Sequence, residues 1–192
     1  DPFEVTGFVN VTDYQRTQFR DAFEYGGVYM ADEIDGSSNR VTLVFNGALE
    51  NGRFAFPDKT ITRHPDFVFI GAANTTGTGG TKEYVGRMKH DAAFLDRFTT
   101  LDWPLDEALE NAITPNKLWL TYVREARANL KRNPIVGHMI TPRASVKGSK
   151  LLAAGVATHI VIDGTLKKGL SDAQWAQIKP RYDFINETQK AA

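Results

Sequence analysis

The chain has no cysteine among its 192 residues. That excludes disulfide frameworks, thiolate metal sites and cysteine nucleophiles, and it permits a reducing compartment. Net charge is also missing, because 23 Lys plus Arg balance 23 Asp plus Glu. No broad field draws the chain to nucleic acid or anionic lipid, so nucleic acid is not an expected direct ligand. The longest apolar runs, such as Phe67 to Ala73, are far too short to span a bilayer. The N-terminal DPFEVTGFVN has no basic and then apolar leader. The expectation is a soluble, cytoplasmic protein without a membrane partner. Two catalytic signatures are absent too: His64, His90, His138 and His159 show no HExxH spacing for zinc, and no GxSxG elbow serves a serine hydrolase. Function must come from oxygen and nitrogen chemistry. The length suffices for one domain, or one with a small appendage, and so for a sizeable core.

What is present has the pattern of an α/β protein. Val28 to Ala31, ending in Asp32-Glu33, and Phe67 to Ala73, ending in Asn74, are near-continuous apolar runs. Such runs suit parallel strands covered on both faces. Between them Val41, Val44, Phe45, Ala48 and Leu49 recur at helical spacing, with Gly52 as a stop. The crossover also carries Arg53 to Arg63, whose Pro57-Asp58 turn predicts an inserted hairpin. A Gly and Thr tract follows Asn74. Then Met88, Asp91, Ala92 and Leu95 predict a short helix ending near Arg97, and Phe98 to Trp103 a third strand closed by Pro104. From Asp106 the pattern turns helical. Trp119, Tyr122, Val123, Ala126 and Leu130 share one face; Thr141-Pro142 opens another helix that Gly155 ends. Ser171 with Gln174 fits a capping box for the last helix, and the tail after Tyr182 is expected to be loosely held. The chain is therefore divided into residues 1–108, an α/β core, and residues 109–192, an all-α part with its tail.

In a parallel sheet, ligands bind outside the carboxyl ends of the strands, where Asp32, Glu33 and Asn74 fall. Two adjacent acids there suit metal-nucleotide hydrolysis: one carboxylate holds the shell of Mg²⁺ and the next polarises an attacking water. A neighbouring amide can orient that water. The long stretch from GFVNVTDYQRTQFRDAFEYGGVYMADEID through VTLVFNGALENG, HPDFVFIGAANTTGTGG, EYVGR and HDAAFLDRF resembles the AAA+ ATPases, in particular the dynein-related group with MoxR-type and cobaltochelatase-subunit ATPases. The likeness is close over Val5 to Trp103 and looser through ITPRASVKGSKLLAAG.

The resemblance implies a three-layer αβα parallel-sheet core followed by a C-terminal helical lid. It implies that Asp32 holds Mg²⁺ through water, that Glu33 activates the hydrolytic water, and that Asn74 is the sensor 1 residue. Arg97, in FLDRF, matches the arginine finger that serves a neighbouring subunit's ATP, and Arg143, in TPRAS, matches sensor 2, which contacts its own subunit's nucleotide. The implied assembly is a homo-oligomeric ring, a hexamer, that remodels a client protein or complex. Phe8, Phe54 and Phe56, on hairpin regions Val5 to Thr17 and Arg53 to Arg63, are candidate client-gripping aromatics, the alternative being that they pack under their own hairpins.

One departure is sharp. A phosphate loop needs GxxxxGK followed by Ser or Thr, and no Gly-Lys dipeptide occurs. Gly77-Thr78-Gly79-Gly80-Thr81-Lys82 is no substitute, since Glu83 follows Lys82 and the tract comes after sensor 1. The chain starts at Asp1 without Met. The expectation is that the phosphate loop lies upstream and that this polypeptide alone binds ATP poorly. Two alternatives stay open: a non-catalytic AAA+-like scaffold, and the ATPase subunit of a metal chelatase. The basic stretch Arg124 to Arg132 is expected to be a solvated helix face.

Overall fold

A computed structural model describes residues 1–10 and 13–181. The expected loose tail after Tyr182 lies outside the described residues. The described residues are mixed α/β, 47% helical with a small parallel sheet. The chain divides into two compact units, Asp1–Thr100 and Leu101–Ala192, ahead of the compositional change near residue 108.

The first unit runs α1 (Pro2–Thr6), β1 (Phe8–Val9), β2 (Tyr14–Gln15), α2 (Gln18–Tyr25), β3 (Gly27–Ala31), a 3₁₀ turn (Ile34–Gly36), α3 (Asn39–Glu50), β4 (Arg53–Ala55), β5 (Thr60–Thr62), β6 (Phe67–Gly71) and α4 (Ala92–Leu95). Strands β3 and β6 pair in parallel, Gly27 opposite Phe67 and Ala31 opposite Gly71. Beyond them the backbone stays joined, as Ala72 N donates to Ala31 O at 2.9 Å and Ile34 N to Ala72 O at 3.0 Å. The crossover is α3 with the β4–β5 hairpin, paired antiparallel from Arg53↔Thr62 to Ala55↔Thr60.

Alternation along the two strands sends Tyr29, Ala31, Phe67 and Phe69 toward the core under α2 and α3. Phe19, Phe23 and Phe45 are its buried centre, with Phe19 ringed by Phe23, Tyr29, Phe45, Phe56 and Phe67 at centroid distances of 5.1–6.1 Å. No described element of the first unit covers the opposite face. Val28, Met30, Val68 and Ile70 are exposed, which corrects the expectation of strands buried on both sides. A run of apolar residues records that both faces are apolar, and says nothing of whether an element lies on each.

Two further expectations are corrected here. No strand forms over Phe98 to Trp103: Phe98 packs on the core, while Leu101 and Trp103 are exposed and meet no edge to pair with. The helix expected from Met88 begins only at Ala92, where the Asp91 side chain caps it by accepting from Ala93 N. Met88 and His90 are drawn into backbone bonds with Asp35 and Gly77 instead. Phe54 and Phe56 pack under their own hairpin, the alternative to gripping a client. Phe56 is buried and Phe54 packs beside it at 5.2 Å, so the hairpin completes the core. Phe8, on the β1–β2 hairpin, is exposed.

The second unit is helical: α5 (Glu107–Ile113), α6 (Lys117–Arg132), α7 (Pro142–Ala153), α8 (Thr158–Ile162) running into a π-helical turn (Asp163–Lys167), and α9 (Asp172–Ile178). Asn116 caps α6 by accepting from Trp119 N at 2.9 Å. The face of Trp119, Tyr122, Val123, Ala126 and Leu130 is buried against α7 and α9. Gly148 of α7 lies so close to Trp119 that a Cβ there would sit 2.3 Å from the indole ring. The capping box of Ser171 and Gln174 forms as expected.

Arg124 and Arg127 are not simply solvated. Both reach back to Glu110 on α5, which is buried; Arg127 Nη2 lies 2.6 Å from one carboxylate oxygen and Arg124 Nε 3.2 Å from the other, and Ser145 Oγ donates at 2.6 Å. Among the described residues no helix is long and apolar enough to cross a membrane.

Candidate functional site

The parallel register of β3 and β6 makes their carboxyl ends neighbours, and the turns that leave them carry Asp32, Glu33 and Asn74. All three side chains are exposed. Asp32 Oδ1 accepts from Glu33 N at 2.9 Å, bending the chain at once after the strand. Glu33 holds φ 52°, the left-handed region that a non-glycine residue occupies only when its surroundings enforce it. Its carboxylate meets Arg87 at 3.4 Å.

Beneath these groups lies Asp35, only 1% exposed. Its Oδ2 accepts from Asn74 N at 3.2 Å, Thr75 N at 2.9 Å and Thr75 Oγ1 at 2.9 Å. Arg87 Nε stands 3.5 Å from the same oxygen, and Met88 N donates to the Asp35 carbonyl at 2.9 Å. His90, also buried, sets Nε2 3.1 Å from the Ile34 carbonyl, while its own N–H donates to Gly77 O at 2.8 Å. Three segments, 32–36, 74–80 and 84–90, are thus stitched together around one carboxylate. Gly77 permits this closeness: it has φ 76°, and a Cβ there would lie 2.7 Å from Leu95.

Asp35 and Arg87 were missed by the sequence reading. The available signal was the third acid of Asp32-Glu33-Ile34-Asp35, the one that follows the strand end by a full turn.

Arg97 lies at the end of α4, apart from this cluster. Its guanidinium donates to Ala93 O and pairs with Glu50 at 3.0 Å, not with Asp91 or Asp96. It lines a cleft of about 260 Å³ with Leu49, Glu50, Arg63, Phe69 and Phe98. Arg143 belongs to the second unit, in the exposed first turn of α7, two residues after the cap residue Thr141; among the described residues its side chain makes no hydrogen bond or ion pair.

The donor set can be compared with Mg²⁺. That ion is held by one or two carboxylates while water and phosphate oxygens complete its octahedron. Exposed Asp32, next to Glu33, suits that mode. A cage of three or more His, Cys, Asp or Glu does not occur among the described residues, so a resident metal held by protein alone is not what the residues fit. The chain matches no protein-family model and no curated protein.

Proposed function

We propose that the first unit carries the hydrolytic edge of a ring-forming AAA+ ATPase, that the second unit is its helical lid, and that the intact protein couples Mg-ATP hydrolysis to remodelling of a partner macromolecule in the cytoplasm. The observation that carries this reading is the parallel pairing of β3 with β6, which brings an acidic turn and an amide-bearing turn together at one strand edge. A two-stranded parallel pair with polar groups gathered at its carboxyl end is where α/β sheets bind ligands.

Mg²⁺, when bound with ATP, would shield the phosphate charge. Asp32 would hold that ion's water shell. Glu33 would take the proton of the attacking water; for this its carboxylate must leave Arg87, a move its exposure allows. Asn74 would orient the water. Arg97 would act on the ATP of a neighbouring copy in a homo-oligomer, a hexamer in this proposal, once it exchanges Glu50 for phosphate; a finger of this kind contributes on the order of 10³ or more in rate. Arg143 would contact the nucleotide from the lid. The reading requires a phosphate loop outside these 192 residues.

A second reading, a non-catalytic scaffold of the same fold, is favoured by one observation: Arg97 and Glu33 are each already paired within the chain. One experiment separates the two. The complete gene product is expressed, and ATP binding and hydrolysis are measured for it and for Glu33→Gln. The motor reading expects hydrolysis by the parent and a loss of about 10² or more in the variant, with binding kept. Undiminished turnover in Glu33→Gln would remove Glu33 as the base. A parent that binds a partner and never hydrolyses ATP would establish the scaffold.

A further inference from the structure

We propose that Asp35 is the positioning residue of this site: it sets Asn74 against Glu33 by anchoring the Asn74 turn to the acidic turn. This rests on the hydrolytic reading above and adds a residue to it. Asp35 touches no reactant. It follows Glu33 by two positions, and it grips the backbone of Asn74 and Thr75 from across about 40 residues of sequence. Three donors converge on one buried oxygen, Oδ2, while the other, Oδ1, is buried with no partner among the described residues.

The geometry at Oδ2 is informative, because a buried acceptor is met by donors brought to it and these come from the turn that carries Asn74. Here all three donors on Oδ2 come from a single turn, so this oxygen fixes where that turn sits. A carboxylate accepts such N–H and O–H groups about twice as strongly as a neutral acceptor. Arg87 completes the device: its guanidinium lies within 3.5 Å of carboxylate oxygens of both Glu33 and Asp35, so the buried acid and the exposed one share a cation. A shift of the Asn74 turn by about 1 Å is enough to cost on the order of 10²-fold in rate when the displaced group orients a reactant.

The test uses the complete ATPase and three variants, Asp35→Ala, Asp35→Asn and Thr75→Val. Each is assayed for kcat and KM with ATP, for hydrogen exchange at the amides of Asn74 and Thr75, and for its melting curve. Asp35→Ala should lower kcat by on the order of 10²-fold with KM within roughly twofold, and should unprotect both amides. Asp35→Asn keeps an acceptor oxygen and should recover part of that loss. Thr75→Val, which removes only the hydroxyl, should cost roughly two- to fivefold in kcat. If Asp35→Ala does not fold, the other two decide.

Folded Asp35→Asn and Thr75→Val with unchanged kcat, or variants whose activity falls only with the folded fraction, would overturn the proposal and leave the hydrolytic reading intact. A parent enzyme without any turnover would overturn both, and the absence of activity in the parent tells that case apart.

Discussion

Apart from Asp35 beneath the strand edge, each unit buries one ionised side chain among its described residues, and the two are of opposite sign. In Asp1–Thr100 it is Arg20, fully buried on α2; in Leu101–Ala192 it is Glu110, fully buried on α5. Their surroundings differ in kind. Arg20 lies over the rings of Phe56 at 4.5 Å and Tyr14 at 5.2 Å, in a core built from phenylalanines, and aims its fork at Asp58 at 2.7 and 3.3 Å and at Glu24 at 3.0 Å. Aromatic faces are negative, so they attract a guanidinium even as they desolvate it. Glu110 has no such help. A carboxylate only accepts, and a helical core of Trp, Leu, Ile and Val side chains offers it few donors. It is kept by a forked Arg127, by Arg124 and by the Ser145 hydroxyl. Burial alone would raise its pKa, but these donors outweigh burial and hold it at about 2. An aromatic core hosts a cation partly through its own rings. The helical core, which offers an anion few donors, hosts one only if each donor is delivered from elsewhere on the chain.

The widest break in that contrast should come from Arg20→Ala. It removes a cation, two ion pairs and the contact with two rings, and should destabilise the first unit by about 3–5 kcal/mol in denaturant unfolding. Arg20→Met, which keeps much of the packing against Phe56, should recover roughly half of that if the rings matter as much as the carboxylates. Full loss in both variants would assign the whole effect to charge pairing.

Next in size is Glu110. Its folded pKa is depressed from 4.5 to about 2, so its contribution is complete above the unfolded value and is lost as pH falls from about 4.5 to about 2. The linked change is on the order of 3 kcal/mol. All the tryptophans, Trp103, Trp119 and Trp175, lie after residue 100. Their fluorescence therefore follows acid unfolding of the second unit, and Glu110→Gln should flatten its acid limb while costing about 2–3 kcal/mol at neutral pH. An unchanged acid limb would mean that other carboxylates dominate.

The smallest effect concerns packing alone. Gly148→Ala should cost about 1–3 kcal/mol in thermal unfolding, because a methyl group there would drive into the Trp119 ring.

The tryptophan face of α6 was legible in the sequence because helical periodicity repeats every few residues, and so was the capping box at Ser171, whose two partners stand three apart. The strand ends at Asp32-Glu33 and Asn74 were legible for a similar reason: apolar runs stop where polar residues begin. The third strand expected at Phe98 to Trp103 failed because a strand requires an edge, and an edge belongs to another segment. Phe54 and Phe56 were ambiguous for the same cause. An aromatic residue on a hairpin can face its own core or solvent, and only the fold of α2 over β5 and β6 decides it. Arg97 had two acidic candidates in its own neighbourhood, and neither is its partner; Glu50, at the end of α3, is.

Composition and pattern alone determined the mixed α/β character, most element positions and the three polar residues at the strand edge. These follow from short-range rules of chain geometry and solvation. The tertiary structure decided which acid is exposed and which is buried, for Asp32, Glu33 and Asp35 differ little as letters in a row. It decided the partners of Arg20, Glu110, Arg97 and Arg87, and left one apolar face of the β3–β6 sheet exposed among the described residues of the first unit. The physical reason is common to all of these. A charge or a ring takes its energy from what surrounds it in space, and chain folding brings those surroundings from tens of residues away.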